Sequence, residues 1–168
     1  ICVCIYDSFG IFKVHLYYDT MRFVLLCFSL LYATANFAQQ DVNNLKKTLG
    51  NAENPKKEII FLKSISDYYI ETDKQVDSAK FYLNRLEKVS AKTGDSLTKA
   101  FVYSKRATMF GWASNLEQAE LSGKKAIAIY QENNKLLEAA KVRQSLGYMN
   151  QLAFNSKAAL QYYFEAES

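Results

Sequence analysis

From residue 39 onward, apolar residues return at three- and four-residue steps. Ile59, Ile60, Leu62, Ile65 and Tyr69 form one such series, and Val76, Ala79, Leu83 and Leu86 a second. Leu116, Ala119, Ala126 and Tyr130 form a third. This is the spacing of an amphipathic helix with one buried stripe. Short polar breaks separate the series, among them Lys92-Thr93-Gly94-Asp95 and Glu132-Asn133-Asn134-Lys135. The pattern predicts helices near 42–50, 56–71, 75–91, 96–112, 116–132, 135–152 and 156–168. Asn115 and Asn155 stand where a helix should start, and an asparagine oxygen there accepts from otherwise orphaned backbone N–H groups.

The pattern also repeats. Ala79, Ala119 and Ala159 lie 40 residues apart, and Ala126 and Ala166 share that spacing with Leu86 in their column. Ala107 pairs with Gly147, Ala100 with Ala140, and Asn115 with Asn155. A fixed period in this range marks stacked supersecondary units, because one helix pair cannot cover its own apolar face. Small residues at the recurring positions suit close helix crossings, where axes approach to about 8–10 Å. Gly123 is expensive inside a helix, by about 1 kcal/mol relative to alanine, so either a neighbour packs on it or the helix is weak there.

Composition agrees with helices. The chain of 168 residues is 49% hydrophobic and 23% charged, with one proline and six glycines. That fits one ordinary domain or a short array and argues against disorder and against a turn-rich β fold. The net charge of +4 is spread over pairs such as Lys46-Lys47, Lys56-Lys57, Lys105-Arg106 and Lys124-Lys125. Nucleic-acid binding needs a clustered basic face, so no nucleic-acid partner is expected.

The N-terminus reads as an address. Met21-Arg22 opens the apolar run Phe23–Tyr32, and Ala33, Ala35 and Ala38 follow. A basic start, a short apolar stretch and a small-residue exit describe a secretory signal peptide over residues 21–38. The cut is expected after Ala38, or second after Ala35; an uncleaved membrane anchor is the alternative. Residues 1–20 share no period with the rest and read as non-native sequence upstream of a start at Met21. Residues 39–55 then form an N-terminal helix and linker. Cys2, Cys4, Cys27 and His15 all precede residue 39. Cleavage would leave no thiol or imidazole for a disulfide, a zinc site or a nucleophile–base pair, so neither metal nor cofactor is expected.

The repeating unit resembles the tetratricopeptide repeat (TPR) family, whose form is W-x2-L-G-x2-Y followed by A-x3-F-x2-A and proline. In the last unit Leu146-Gly147 fills the L-G pair, and Ala159, Tyr163 and Ala166 fill A-x3-F-x2-A. Arg143 and Asn150 stand in the tryptophan and tyrosine slots. The middle unit has Tyr103, Ala107 and Phe110, then Ala119, Gly123 and Ala126. The first has Asp67 in the glycine slot, then Ala79, Leu83 and Leu86. No unit has the closing proline, and 40 exceeds the family's usual 34. The likeness is to long-helix variants and spans residues 56–168. It implies an all-α, right-handed solenoid of antiparallel helix pairs, about three units of period 40, cut short at its C-terminal end.

In that family the first helix of each pair lines a concave groove. The corresponding positions are Ser64, Tyr68, Ser104, Lys105, Thr108, Lys141, Gln144 and Tyr148, which suit a peptide or an acidic segment. The regular Lys, Arg and Asn set of the family's carboxylate clamp is missing, so chaperone-tail binding is not expected. Ala79, Ala107, Ala119, Ala126, Gly147, Ala159 and Ala166 are the packing positions. Trp112 is expected to plug the space between units, and the twelve tyrosines and eleven phenylalanines to supply core. Asp67, Glu71, Asp73 and Asp77 are simplest as helix-end charges. With no P-loop, G-x-G-x-x-G, H-E-x-x-H or nucleophile elbow, no enzyme is expected in these residues. Two functions fit: an exported, non-catalytic protein- or peptide-binding scaffold, periplasmic or cell-surface; or the extracytoplasmic sensor region of a longer bacterial signalling protein with a histidine kinase or DNA-binding output. In either case a membrane is met only through an uncleaved signal or further sequence.

Overall fold

The computed structural model describes residues 41–50 and 54–167. The expected signal peptide, its cleavage sites and the upstream segment lie outside the described residues. The chain divides into two compact units, residues 1–44 and 45–168. Of the first, residues 41–44 are described, and they are helical.

The described residues are all-helical, with no strand among them. A helix over residues 41–50 (α1) is followed by α2 (Pro55–Asp67), a π-helical turn (Tyr68–Thr72), α3 (Val76–Thr93), α4 (Ser96–Trp112), α5 (Leu116–Glu132), α6 (Leu136–Leu152) and α7 (Ser156–Glu167). The helices expected at 96–112 and 116–132 have those bounds. The one expected at 56–71 is interrupted: after Asp67 the ladder widens, and the Asp73 N–H reaches back five residues to the Tyr68 carbonyl at 3.1 Å.

The closest packing joins α2 to α3, α4 to α5, and α6 to α7; α3 also meets α4, and α5 meets α6. Arg85, just past the middle of α3, bonds Glu58 at the start of α2, and Ser96 at the start of α4 bonds Asn133 past the end of α5. Both pairs therefore run antiparallel. Caps set the starts: Asn54 accepts from the Lys57 N–H, Asp95 from that of Thr98, and Asn115 from that of Gln118. Asn155 spends its amide differently, donating to Asn150 Oδ1 at 3.1 Å.

The helix ends carry a regularity that the side chains hide. Lys74, Gly94, Ser114, Asn134 and Phe154 all have positive φ, between 51° and 68°, and each follows the last by 20 residues. From Gly94 on, the next residue's N–H returns to a carbonyl five residues back: Asp95 to Ser90, Asn115 to Phe110, Lys135 to Tyr130 and Asn155 to Asn150. This is the closing bond of a Schellman-type C-cap. One helix plus one turn is thus a 20-residue unit, and two make the period of 40.

Gly94, and after it Asn134, have the residue types such a turn favours. Phe154 is the opposite extreme, a left-handed aromatic that is 94% exposed. Phe154→Gly is therefore expected to raise stability by about 0.5–1 kcal/mol, and Gly94→Ala to lower it by about 1 kcal/mol through backbone strain alone. Urea titration measures both; an added Cβ at Gly94 meets nothing within 4 Å, so contacts do not confuse the comparison.

The core is built from small and aliphatic side chains. Ala79, Ala119, Ala126, Ala107 and Ala159 are buried as expected, with Leu62, Ile65, Leu83, Leu86 and Leu146 around them. Ala166 is only half-buried. Aromatics supply less core than their number suggests: among the described residues Tyr69, Tyr130 and Tyr162 are buried, while Phe81, Phe154 and Phe164 are exposed. At the close crossings a glycine of one helix receives a single side chain of the next. Gly123 receives the Leu146 side chain of α6, where an added Cβ would stand 2.8 Å from Leu146 Cδ1. Gly147 receives the Tyr163 ring of α7, and Gly111 the Met149 side chain. Gly123 is thus a contact point, not a weak place in the helix.

Candidate functional site

The first helices of two successive pairs, α4 and α6, present two adjoining cavities. The larger, about 690 Å³, is lined by Thr108, Trp112, Gln144, Tyr148, Met149 and Leu152, with Tyr163 and the α4–α5 and α6–α7 turns at its margin. No charged side chain lines it. The smaller, about 450 Å³, is lined by Ser104, Lys105, Thr108, Tyr130, Glu138 and Lys141 and includes Glu71. Thr108 and Ser145 border both, so the two form one track.

Six of the eight expected groove residues are brought together here. Ser104, Lys105, Thr108 and Lys141 line the smaller cavity, and Thr108, Gln144 and Tyr148 the larger. Ser64 and Tyr68 line neither. Ser64 is exposed and donates to the Ile60 carbonyl, and Tyr68 opens the π turn.

Trp112 corrects its expected role. It is 43% exposed and borders the larger cavity instead of plugging the space between units. It is the last residue of α4, beyond the level where Gly111 and Met149 meet, so the crossing does not cover it. Met149 and Leu152 were not singled out from the sequence, and Tyr163 was read there as the aromatic of the last unit and not as a groove residue.

Charge in the smaller cavity centres on Lys105. Its Nζ lies 2.6 Å from Glu71 Oε1, a hydrogen bond, and 2.7 Å from Asp67 Oδ1, an ion pair off the hydrogen-bonding direction. Burial alone would lower the Lys105 pKa, but the two carboxylates outweigh it and the value is raised. Burial raises the Asp67 pKa; Lys105 opposes the shift without cancelling it. Burial likewise raises that of Tyr130.

Asp67 and Glu71 thus stand at a helix end, as the sequence placed them, but it is a C-terminal end and capping is not their role. They end α2 and its π turn, where the helix dipole disfavours an anion, and Lys105 offsets that. Asp77 does lie in the first turn of α3. Arg106 makes the better-formed pair, with Nη1 and Nη2 donating to the two Glu87 oxygens at 3.0 and 2.8 Å and Nη2 also to Asn84, which ties α4 to α3.

No family model, curated protein or solved structure matches the chain.

The site's own chemistry is therefore what describes it. Among the described residues no group of histidine, cysteine or carboxylate side chains is placed to hold a metal ion. No helix among them is long and apolar enough to cross a membrane. Of the carboxylates that line the track, Glu71 is paired with Lys105, and Glu138 stands on the smaller cavity beside Lys141 in the lining. What remains is a track with an uncharged, largely apolar end and a charged, polar end. Gln144, whose amide meets no partner among the described residues, stands at the apolar end.

Proposed function

We propose that the chain is a non-catalytic scaffold that binds a protein or peptide segment along α4 and α6. The observation that carries this reading is the pair of adjoining cavities on those two helices, with Gln144 and Tyr148 at one end and Lys105 and Lys141 at the other. An extended segment places an apolar side chain near Trp112 and Leu152, hydrogen-bonds its backbone to the Gln144 amide, and sets a polar or acidic group toward Lys141. The helix pairs belong to a right-handed solenoid of TPR-like units. Support comes from the buried alanines spaced by 40, the left-handed turn residues spaced by 20, and the pairing of α2 with α3, α4 with α5 and α6 with α7. Export is inferred from the signal-like sequence of residues 21–38 alone.

Trp112 is the only tryptophan and lies on the track, so its fluorescence reports occupancy. Peptides selected from a random library against the chain are expected to shift its emission to shorter wavelength. Tyr148→Ala and Lys141→Ala should each weaken the selected peptides about tenfold, the loss of one good contact near the interface centre. Peptides that bind without changing Trp112 emission and keep full affinity for both variants would place binding elsewhere and reject the groove.

A further inference from the structure

A third cavity shares no residue with the α4–α6 track. It holds about 310 Å³ between α5 and α7, the second helices of successive pairs, with Arg143 of α6 between them. Those two helices each pack against α6 and scarcely against each other, which leaves the gap. Glu120, Lys124 and Ile127 stand one turn apart along one wall, and Ala158, Tyr162 and Glu165 along the other. All three helices that enclose the cavity are described, and the columns that face forward from α5 meet α7 here. Forty residues earlier the positions of Arg143 and Glu165 are held by Tyr103 and Lys125, and there the Lys125 ammonium lies over the Tyr103 ring at 5.6 Å. The two places are built alike, a residue of a first helix against the next second helix.

The later place carries a guanidinium that is short of acceptors. The Arg143 side chain is only 15% exposed, yet it makes no hydrogen bond among the described residues. Its nearest anion is Glu165, 3.8 Å from Nε to Oε2, which is beyond hydrogen-bond reach. Arg106 shows the usual arrangement, with three bonds from its terminal nitrogens. Five N–H donors on a largely buried fork call for acceptors of their own. The carboxylates nearby are already answered from within the protein. Glu120 accepts from Asn150 at 3.0 Å and from Lys124 at 3.4 Å, and Glu165 accepts from Gln161 at 2.9 Å. The cavity therefore has donors to spare and no unpaired carboxylate. Lys124 and Arg143 balance Glu120 and Glu165 in charge, so an entering anion meets no net repulsion.

We propose that this cavity binds a carboxylate carried on a short apolar body. The Arg143 fork takes the two oxygens side by side, the geometry that a guanidinium matches and an ammonium does not. Ile127, Ala128 and Ala158 receive the apolar body. The volume is at the lower end for a ligand pocket, which admits a small organic acid or one acidic side chain and not a longer segment. The site does not depend on the function assigned to the α4–α6 track.

The Arg143 Nε–H resonance of the full chain reports occupancy in two-dimensional nitrogen–proton spectra. Butyrate is expected to shift it saturably, with a dissociation constant in the millimolar range usual for so few atoms. Butyramide, the same body without the charge, should leave it in place. N-acetyl-glutamate N-methylamide presents the carboxylate as a side chain. If it binds more tightly than butyrate, the cavity takes an acidic residue of a protein; if less tightly, a small acid. Arg143→Lys keeps the charge and loses the fork, and should weaken butyrate about tenfold, read from the backbone amide shifts of α7. Ala128→Leu leaves Arg143 untouched and fills the mouth from an exposed helical position, so the fold is kept and binding should be lost. An Arg143 resonance that neither carboxylate moves would overturn the proposal. So would an equal response to butyramide, or full affinity in either variant.

Discussion

Leu146→Ala is expected to lower stability by about 2–5 kcal/mol, the usual range for truncating a fully buried leucine. Leu146 is 0% exposed and lies where α5 and α6 cross, seated on Gly123. The loss includes the transfer term and a cavity that cannot readily collapse, because Ala100, Ala126 and Ala139 of the same core cluster are themselves small and buried. The partner position moves the other way in volume. Gly123→Ala gains about 1 kcal/mol of helix propensity, but its methyl would stand 2.8 Å from Leu146 Cδ1 and 3.0 Å from Cδ2. Leu146 has no free side to shift into, and overpacking of this kind typically costs about 1–3 kcal/mol. The net change for Gly123→Ala is a loss of up to about 2 kcal/mol.

Combining the two changes distinguishes packing from propensity. In Gly123→Ala with Leu146→Ala the added methyl points into the vacated space, so the double variant should be more stable than the sum of the singles predicts, by about 1 kcal/mol or more. Urea unfolding of the four proteins measures this. Strict additivity would mean that Gly123 and Leu146 do not meet, and the account of the α5–α6 crossing would fail with it.

That crossing also shows what could be read from the chain beforehand. Leu146 and Gly147 were visible as a motif, and Ala119 and Ala159 as a period, because small residues at a helix crossing are dictated by distance and recur wherever the crossing does. The starts of α4 and α5 were legible for a related reason: Asp95 and Asn115 bond backbone groups within three residues, so their signal is local. The 20-residue spacing of the turns was not legible. It lives in φ angles, and Lys74, Ser114, Asn134 and Phe154 share no side-chain chemistry that would announce a left-handed residue.

The site divides along the same line. Thr108 of α4 and Gln144 and Tyr148 of α6, which the family resemblance implied as groove positions, border the larger cavity. Ser64 and Tyr68 do not, since neither cavity reaches α2 or the start of its π turn. That turn accompanies the contact of Glu71 with Lys105, which lies 34 residues further along the chain. A single-helix pattern contains no trace of such a pairing. Trp112 failed for a different reason: periodicity places a residue on a face but does not say whether the crossing reaches the helix end.

Lys105 is where this tertiary term is largest and where pH should expose it. Lys105→Met keeps the length of the side chain and removes the charge from between Asp67 and Glu71. At pH 7 the expected loss is about 1–2 kcal/mol, a charge-assisted hydrogen bond and an ion pair discounted for the solvent exposure of both carboxylates. The loss should depend on pH in a defined direction. Burial already holds the Asp67 pKa above its ordinary value in the folded chain, so its contribution to stability is present below the unfolded value and is lost as pH rises through the folded one. Without Lys105 the opposing effect disappears, while burial and the Glu71 charge remain, and the Asp67 pKa rises further.

The variant should therefore lie closest to the wild type at the acid end of the range, where Asp67 is most protonated, and fall progressively behind it toward neutrality. In the wild type the raised Lys105 pKa adds a second loss, confined to alkaline pH above the ordinary lysine value, and the variant should lack it. Thermal unfolding followed from pH 4 to pH 11 measures both windows. A gap that stays constant between pH 4 and pH 7 would show that Lys105 acts through its apolar stem, as in its contact with the Phe101 ring, and not through the carboxylates.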